Sequence, residues 1–509
     1  MRLRTIPDRT GLMRDETGTL TRRGRTELLL CYPNSYRVAG ASLGLQVMYR
    51  LLNARDAISC QRAVLPEDAL SDPNAKIRSL EHGMAPDQFD AILFSIAYEL
   101  DIPHLPMMLE RGGVAPLRSD RAADAPPVIA GGPLTQSNVL PLAPFVDAVV
   151  LGEAEAVVPT LLDALQDRPD RATLVARLDG VPGIWLPERH GDAVPDVLVA
   201  RGDHIPAVGQ WRSPHAEFAD MALLESSRGC PRYCKFCVVR APASPMRSPE
   251  LERVLAALDL PLYANAPRIG LVGAAVSDWP PLVDALRAIV ERGKGVGVSS
   301  LRADRLDETL VGLLAAGGYR TLTVASDAAS QRLRGKMMKG LRERHFLAAA
   351  DLARGLGLKG LKLYVILGLP DETEADIDEL IDFCQRLRAK APLTLTLSPF
   401  VPKLHTPLAE APFEPIASQQ VKLERVRRVL GKAQVEVRFD APRWAWVEYR
   451  LSQGGAESGL AAWRALRDGG GWKDWQRAFA EIDAGGQGGE RAAVVAAQRH
   501  GLWALAGAR

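Results

Sequence analysis

From Glu27 onward, short apolar runs alternate with segments whose apolar residues recur at helical spacing: ELLLCYP, then ASLGLQVMYRLLNARD, then FDAILFSIAYE, then IPHLPMMLERGG. The alternation continues through APPVIAGGP and FVDAVVLGEAEAVVPTLLDALQD, where one buried run ends in Gly131 and Gly132 and the next in Gly152. Buried strands alternating with amphipathic helices are the signature of a parallel sheet covered on both faces. They predict an α/β, doubly wound, Rossmann-like first domain over residues 1–205, with ligands expected at the carboxyl ends of its strands. The stretch from Gly180 to Asp220, rich in Pro, Gly and His, reads as the connection to the next unit.

A second alternating series begins at MALLESSRG and runs through RIGLVGAAVSD, GVGVSSLRAD, TLTVASD, KGLKLYVILGLP and PLTLTLSPFVP, with helical patterns between them. Six strands, each but the last followed by a helix, predict a partial (β/α)6 barrel over 218–410 with its chemistry at the carboxyl-terminal rim. After Glu410 the strand pattern stops, and 411–509 reads as a helical domain carrying Trp444, Trp446, Trp463, Trp472, Trp475 and Trp503. A helical cap that buries its tryptophans is the reading adopted, with a substrate-stacking surface as the alternative.

Composition narrows this picture. A chain of 509 residues, 47% hydrophobic and 24% charged, is that of a multidomain globular protein. No apolar run reaches the roughly 18 to 20 residues a membrane helix needs, and the basic start shows no secretory pattern, so a cytoplasmic location is expected. A net charge of +2 gives no field that indicates nucleic acid. Six cysteines in so long a chain are not a disulfide framework. Cys31, Cys60 and Cys384 sit in apolar surroundings and read as buried small hydrophobes.

The remaining three lie within eight residues. SSRGCPRYCKFCVVR sets Cys230, Cys234 and Cys237 in a C-x3-C-x2-C pattern directly after the first barrel strand. Thiolates are the protein ligands of iron–sulfur clusters, and three cysteines leave one iron of a four-iron cubane without a protein ligand. An open metal position is where a substrate coordinates. Structural zinc needs a fourth ligand, and His215 is the nearest upstream candidate; a redox C-x-x-C leaves Cys230 unexplained.

The cysteine motif, the strand before it and the helix–strand series after it resemble the radical SAM superfamily. The resemblance spans roughly 222–408 and implies a 4Fe-4S cluster held by Cys230, Cys234 and Cys237, with reductive cleavage of S-adenosylmethionine (SAM) to a 5′-deoxyadenosyl radical. It further implies that Gly273 and Ala274, with Ala275, meet the methionine amino group, although the usual GGE is degraded here and Asp278 is the available carboxylate. Ser299, Ser300 and Arg302 then face the methionine carboxylate or the ribose, Ser326 and Asp327 the ribose, and Gly368 with Pro370 the adenine. Phe236 packs against the cluster loop or the adenine. The basic run SQRLRGKMMKGLRER reads as a solvated helix start.

The first domain carries YPNSYRVAGASLGLQVMYRLLN, FSIAYEL, VIAGGP and GEAE, strings similar to those of the cobalamin-binding class of the superfamily. On that resemblance Gly131, Gly132 and Gly152 leave room for a planar macrocycle, and Arg37, Ser42 and Gly44 lie near the corrin. No D-x-H-x-x-G string occurs, so the histidine that ligates cobalt in many cobalamin proteins is absent. The expectation is a radical SAM enzyme, cobalamin-dependent and transferring methyl to carbon, with a flavodoxin or ferredoxin as one-electron donor and an unspecified substrate. The alternatives are cobalamin-independent rearrangement, cyclisation or sulfur insertion, and a non-catalytic cluster-bearing sensor or assembly protein.

Overall fold

The computed structural model describes residues 6–70, 72, 74–200, 203–240, 244–299 and 301–484. They form two compact units: residues 6–220 with 450–484, and residues 221–449. The helical stretch expected as one domain over 411–509 is therefore divided between the two.

In the first unit, β1 (Thr26–Ser35), β2 (Ile58–Leu65), β3 (Ala91–Ser95), β4 (Val128–Gly131), β5 (Ala148–Val150) and β6 (Ile184–Trp185) form one sheet in the order β2-β1-β3-β4-β5-β6. All pairs are parallel except β5 with β6. Leu28, Leu30, Leu93 and Ile129 join a core with Leu45, Tyr49 and Leu52 of the helix Leu43–Leu52 and Val158, Leu161 and Leu162 of the helix Ala154–Leu165. Residues of the opposite parity, Leu29, Cys31, Ile92 and Phe94, are buried as well, and the helix His104–Arg111 packs on β1. Burial on both faces is what makes these strands read as continuous apolar runs, and it gives the doubly wound arrangement. The order reverses between β1 and β3, the switch point at which such sheets take ligands.

β2 departs from the apolar pattern because it carries the buried Arg62. Its guanidinium lies over the rings of Tyr49 and Trp211, at 4.6 and 4.3 Å from their centroids, and forks to Glu16 and Glu81, each at 2.6 Å. Tyr36 Oη donates to the same Glu16 at 2.6 Å. A fully buried arginine is tolerated because two carboxylates and two aromatic faces replace its water.

In the second unit, β7 (Met221–Ser227), β8 (Arg268–Gly273) and β9 (Gly295–Val298) pair in order, as do β10 (Thr321–Ala325), β11 (Gly360–Leu367), β12 (Leu393–Pro399) and β13 (Glu436–Phe439), every pair parallel. A parallel bridge between Leu301 and Val324 links the two groups. Helices alternate with the strands, with Glu343–Gly355 against β10 and β11 and Glu374–Lys390 against β12. This is the partial barrel the pattern predicts, with one correction: the strands do not stop at Glu410, because β13 adds a seventh at the edge beside β12. Among the described residues no helix is long and apolar enough to cross a membrane.

Candidate active site

The cysteine loop leaves β7 at Ser227 and is held by backbone bonds along its length. Arg228 and Arg247 exchange backbone hydrogen bonds at 2.8 Å, Cys230 N–H donates to the Ser244 carbonyl at 3.1 Å, and Cys237 N–H closes a turn on Cys234. Lys235 N–H donates to the Met337 carbonyl at 3.1 Å, fastening the loop to the segment beyond β10. Arg232 ion-pairs with Asp278 beyond β8, and Arg305 reaches the same carboxylate at 3.3 Å.

All three thiols are free, and Cys234 is buried. Burial raises the Cys237 pKa to about 11, helped by the charges of Cys234 and Cys230. Burial also raises that of Cys234, Asp327 and Cys230 adding to it while Lys339 and Arg302 oppose it. Burial thus favours the thiol forms of Cys234 and Cys237, and a metal that binds them has to displace those protons. Among the described residues no three His, Cys, Asp or Glu side chains converge as they would around one metal ion. The thiolates of a four-iron cluster bind separate irons and need no common point, so this donor set fits such a cluster.

The other expected residues fall at the same rim with varied roles. Phe236 is half-buried on the loop. Gly273 ends β8, and a Cβ there would press within 2.7 Å of the Ser227 carbonyl oxygen, so packing against β7 demands the glycine. Ala274 is exposed beside it. Ser299 Oγ donates to the Gly273 carbonyl at 2.9 Å; Ser300 lies outside the described residues. Arg302 pairs with Asp304 at 3.0 Å and donates to the Lys339 carbonyl at 3.2 Å. Ser326 is fully buried, donating to the Ala328 carbonyl and accepting from Arg334, so its hydroxyl is engaged by the chain. Asp327 adopts φ +57° and ion-pairs with Lys339. Asp278, the carboxylate available in place of the missing GGE glutamate, is taken by Arg232 and Arg305 and anchors the loop.

The basic run after β10 opens a helix and is largely exposed, but two of its residues depart from a solvated helix start. Arg334 is 1% exposed, between Ser326 and the rings of Phe346 and Phe383, and Lys339 stands beside Asp327, near Cys234. Its spacing as a surface helix start gave no sign of this. The buried Met337 was the available hint that part of the run turns inward, while Met338 faces solvent.

The first sheet's strand ends also differ from expectation. A Cβ on Gly132 (φ +104°) would meet Ile96 N at 2.8 Å, one on Gly152 (φ +103°) would collide with the backbone of Leu198, and one on Gly131 would lie 3.3 Å from the Val150 carbonyl oxygen. The space these glycines leave is filled by the chain itself and not by a macrocycle. Arg37 is engaged by Glu217, and Ser42 caps the helix Leu43–Leu52 by accepting from Leu45 N–H. Beyond Gly44 nothing lies within 4 Å of a Cβ position. Around the β1–β3 switch point stand Asn34 bonded to Asp101 at 2.9 Å, Glu99 accepting from Ser137, and His104, whose Nδ1 bonds the Pro33 carbonyl at 3.1 Å. Burial raises Asp101 to about 6 and lowers His104. Glu99, Asp101 and His104 lie together in YELDIPH and Asn34 in YPNSYR, segments that match no functional motif, so nothing in the sequence singled them out.

A parallel partial barrel bearing three free thiols on its first strand-to-helix loop defines an iron–sulfur enzyme of the SAM-cleaving type. The chain belongs to the radical SAM superfamily: the family described as "Radical SAM superfamily" matches residues 224–384, and "Radical SAM proteins, N-terminal" matches residues 44–187. It is 27% identical over 417 residues to the "uncharacterized protein MJ0966" of Methanocaldococcus jannaschii, covering 81% of this chain and 85% of that protein. It is 27% identical over 277 residues to the "uncharacterized methyltransferase PH0819" of Pyrococcus horikoshii, covering 51% of this chain and 58% of that one. Among solved structures, the cobalamin-dependent S-adenosylmethionine radical enzyme OxsB with aqua-cobalamin and S-adenosylmethionine bound aligns with a TM-score of 0.46 at 16% identity, over 71% of this chain and 52% of that one. The chain thus spans little more than half the length of the second relative and of this structure.

Proposed function

We propose that this radical SAM enzyme transfers a methyl group to a carbon centre, with cobalamin held at the β1–β3 end of the first sheet. The observation that carries the reading is the strand order, whose reversal between β1 and β3 coincides with the open position beside Gly44 and with the polar groups of Asn34, Asp101 and His104. The methyltransferase name of the Pyrococcus relative agrees with it. Cys230, Cys234 and Cys237 hold the cluster, which supplies the electron that cleaves SAM. Arg232 and Asp278 fix the loop, and Lys339 with Arg302 supplies positive charge beside Cys234. Cobalamin, when bound, supplies a transferable methyl group. A small redox protein of the flavodoxin or ferredoxin kind is the electron donor in this reading, and the cytoplasm is its location.

The filled glycines at β4 and β5 favour a second reading, radical rearrangement or cyclisation without cobalamin. Sulfur insertion has less support, since Cys31, Cys60 and Cys384 are buried on separate elements. Anaerobically reconstituted protein given dithionite and SAM is expected to release 5′-deoxyadenosine, and to take up hydroxocobalamin with a change in its visible spectrum. Release of 5′-deoxyadenosine without corrin uptake leaves the second reading; no cleavage by cluster-replete protein overturns both.

A further inference from the structure

β13 stands at the edge of the second unit, parallel to β12, so its carboxyl end at Phe439 lies on the same rim as the cysteine loop after β7. The helix before it, Ile416–Lys432, is fastened to that rim by Lys422, which pairs with Glu372 at 2.7 Å and Glu414 at 2.6 Å, while Gly368 N–H at the end of β11 donates to the same Glu372 at 3.0 Å. On this anchored helix Arg427 lies over the ring of Phe439, 6.0 Å from its centroid, and Phe439 is 41% exposed. Arg443, in the first turn of the helix Pro442–Gln453, stands 5.5 Å from the ring centroid of the half-buried Trp444.

Arg427, Arg428 and Arg443 are exposed and, among the described residues, join no ion pair. Arg425, on the same helix, shows the ordinary alternative by holding both Glu374 and Asp378. The carboxylates beside Phe439 are already engaged, Glu436 by Arg438 at 2.8 Å and Thr394 at 3.0 Å, and Asp440 by Ser398. This stretch of rim therefore carries excess positive charge around an exposed aromatic ring. A guanidinium over a solvated ring contributes only about 0.5–1 kcal/mol, and an exposed phenylalanine on an edge strand invites unwanted pairing. Folding accounts for neither feature. Together they are the two things a single nucleic-acid strand binds by, a ring on which a base stacks and cations that follow its phosphates. The chain's net charge of +2 conceals the excess because it is local.

We propose that this edge of the barrel binds single-stranded nucleic acid, with a base stacked on Phe439 and phosphates at Arg427, Arg428 and Arg443, and that a polynucleotide is the substrate class of the enzyme. The second half rests on the radical SAM reading above; the binding surface does not. A duplex keeps its bases stacked on one another and has no use for the ring, which is why a single strand is the occupant. An acidic protein segment would meet the three arginines and leave Phe439 without a role. Lys422, Glu372 and Glu414 are positioning residues that hold the Arg427 helix against the rim.

The test is fluorescence anisotropy of labelled oligouridine and oligothymidine with the anaerobically reconstituted full chain, titrated over a range of salt, with polyglutamate as competitor. Wild type is expected to bind at low salt with a log–log salt slope of about −2, the value for three phosphates on a single strand; the tighter of the two oligomers tells RNA from DNA. Phe439→Ala should weaken binding by about 5- to 100-fold at an unchanged slope. The double variant Arg427→Gln, Arg443→Gln should bring the slope to about −0.7. Both should release 5′-deoxyadenosine with dithionite and SAM at the wild-type rate, which also shows that they fold. Wild type that binds neither oligomer overturns the proposal, as does Phe439→Ala with wild-type affinity. Polyglutamate that displaces the oligomers at equal charge, with no effect of Phe439→Ala, assigns the surface to an acidic protein instead. Each of these results leaves 5′-deoxyadenosine release intact, whereas oligomer binding by a wild type that cleaves no SAM removes the radical reading and with it the substrate assignment.

Discussion

The carboxyl ends of β4 and β5 in the first unit and of β7 to β11 in the second occupy the same topological place in their sheets and are finished in opposite ways. At β4 and β5 the glycines receive the chain's own backbone, Ile96 against Gly132 and Leu198 against Gly152, and on β2 Arg62 is matched by Glu16 and Glu81. At the barrel rim three thiols stand free and two buried carboxylate oxygens beside Gly368 have no donor. A rim completed by its own chain contributes stability; a rim left short of partners is built for something that arrives later. Glycine at a strand end is common to both, so it marks close approach without saying by what.

This contrast is open to direct attack. The largest effect is expected from Cys234→Ala, which should reduce 5′-deoxyadenosine formation to background and remove the visible absorption of the cluster while leaving the thermal unfolding of the metal-free protein nearly unchanged. Arg62→Met should do the reverse. It strands two buried carboxylates and is expected to cost about 3–5 kcal/mol in denaturant unfolding of the first unit, with SAM cleavage per folded molecule preserved. Gly152→Ala combines a positive φ with a backbone collision and should cost about 2–4 kcal/mol by the same measurement. If it instead weakened corrin binding without loss of stability, the filled-rim account of β5 would be wrong.

The smallest effect concerns the switch point. Asp101 ionises near pH 6 when folded, against 3.8 in the reference state, so its protonated form is favoured by folding. The associated stability is present below the unfolded value and is lost as pH rises through about 6. Asp101→Asn is therefore expected to raise the unfolding free energy above pH 7, by at most about 3 kcal/mol, with the gain vanishing near pH 4. A gain independent of pH would remove Asp101 from the titrating groups of that end.

Much of this was legible in the sequence, because apolar strands such as LLLCY, AILFS and KLYVIL leave little choice of element, and C-x3-C-x2-C leaves little choice of ligand. The failures share a cause. β2 carries Gln61 and Arg62 in its buried interior, and β13 is four residues long and largely exposed, so neither shows an apolar run. Arg334 and Lys339 carry charges whose partners, Glu379 and Asp327, come from other elements or the strand before, and pairing across the fold leaves no trace in local spacing. The same holds for Glu372, Glu414 and Lys422, which are ordinary surface residues until the helix after β12 returns to β11.

The bond from Lys235 N–H to the Met337 carbonyl has a consequence in time. The cysteines leave the ribosome about a hundred residues ahead of the segment that clamps them, which at ordinary elongation speeds of about 5–20 residues per second is an interval of roughly 5–20 seconds. During it the three thiols are synthesised but not yet enclosed. The nascent chain thus presents its metal ligands to the cell's delivery machinery before the barrel that will shelter them exists.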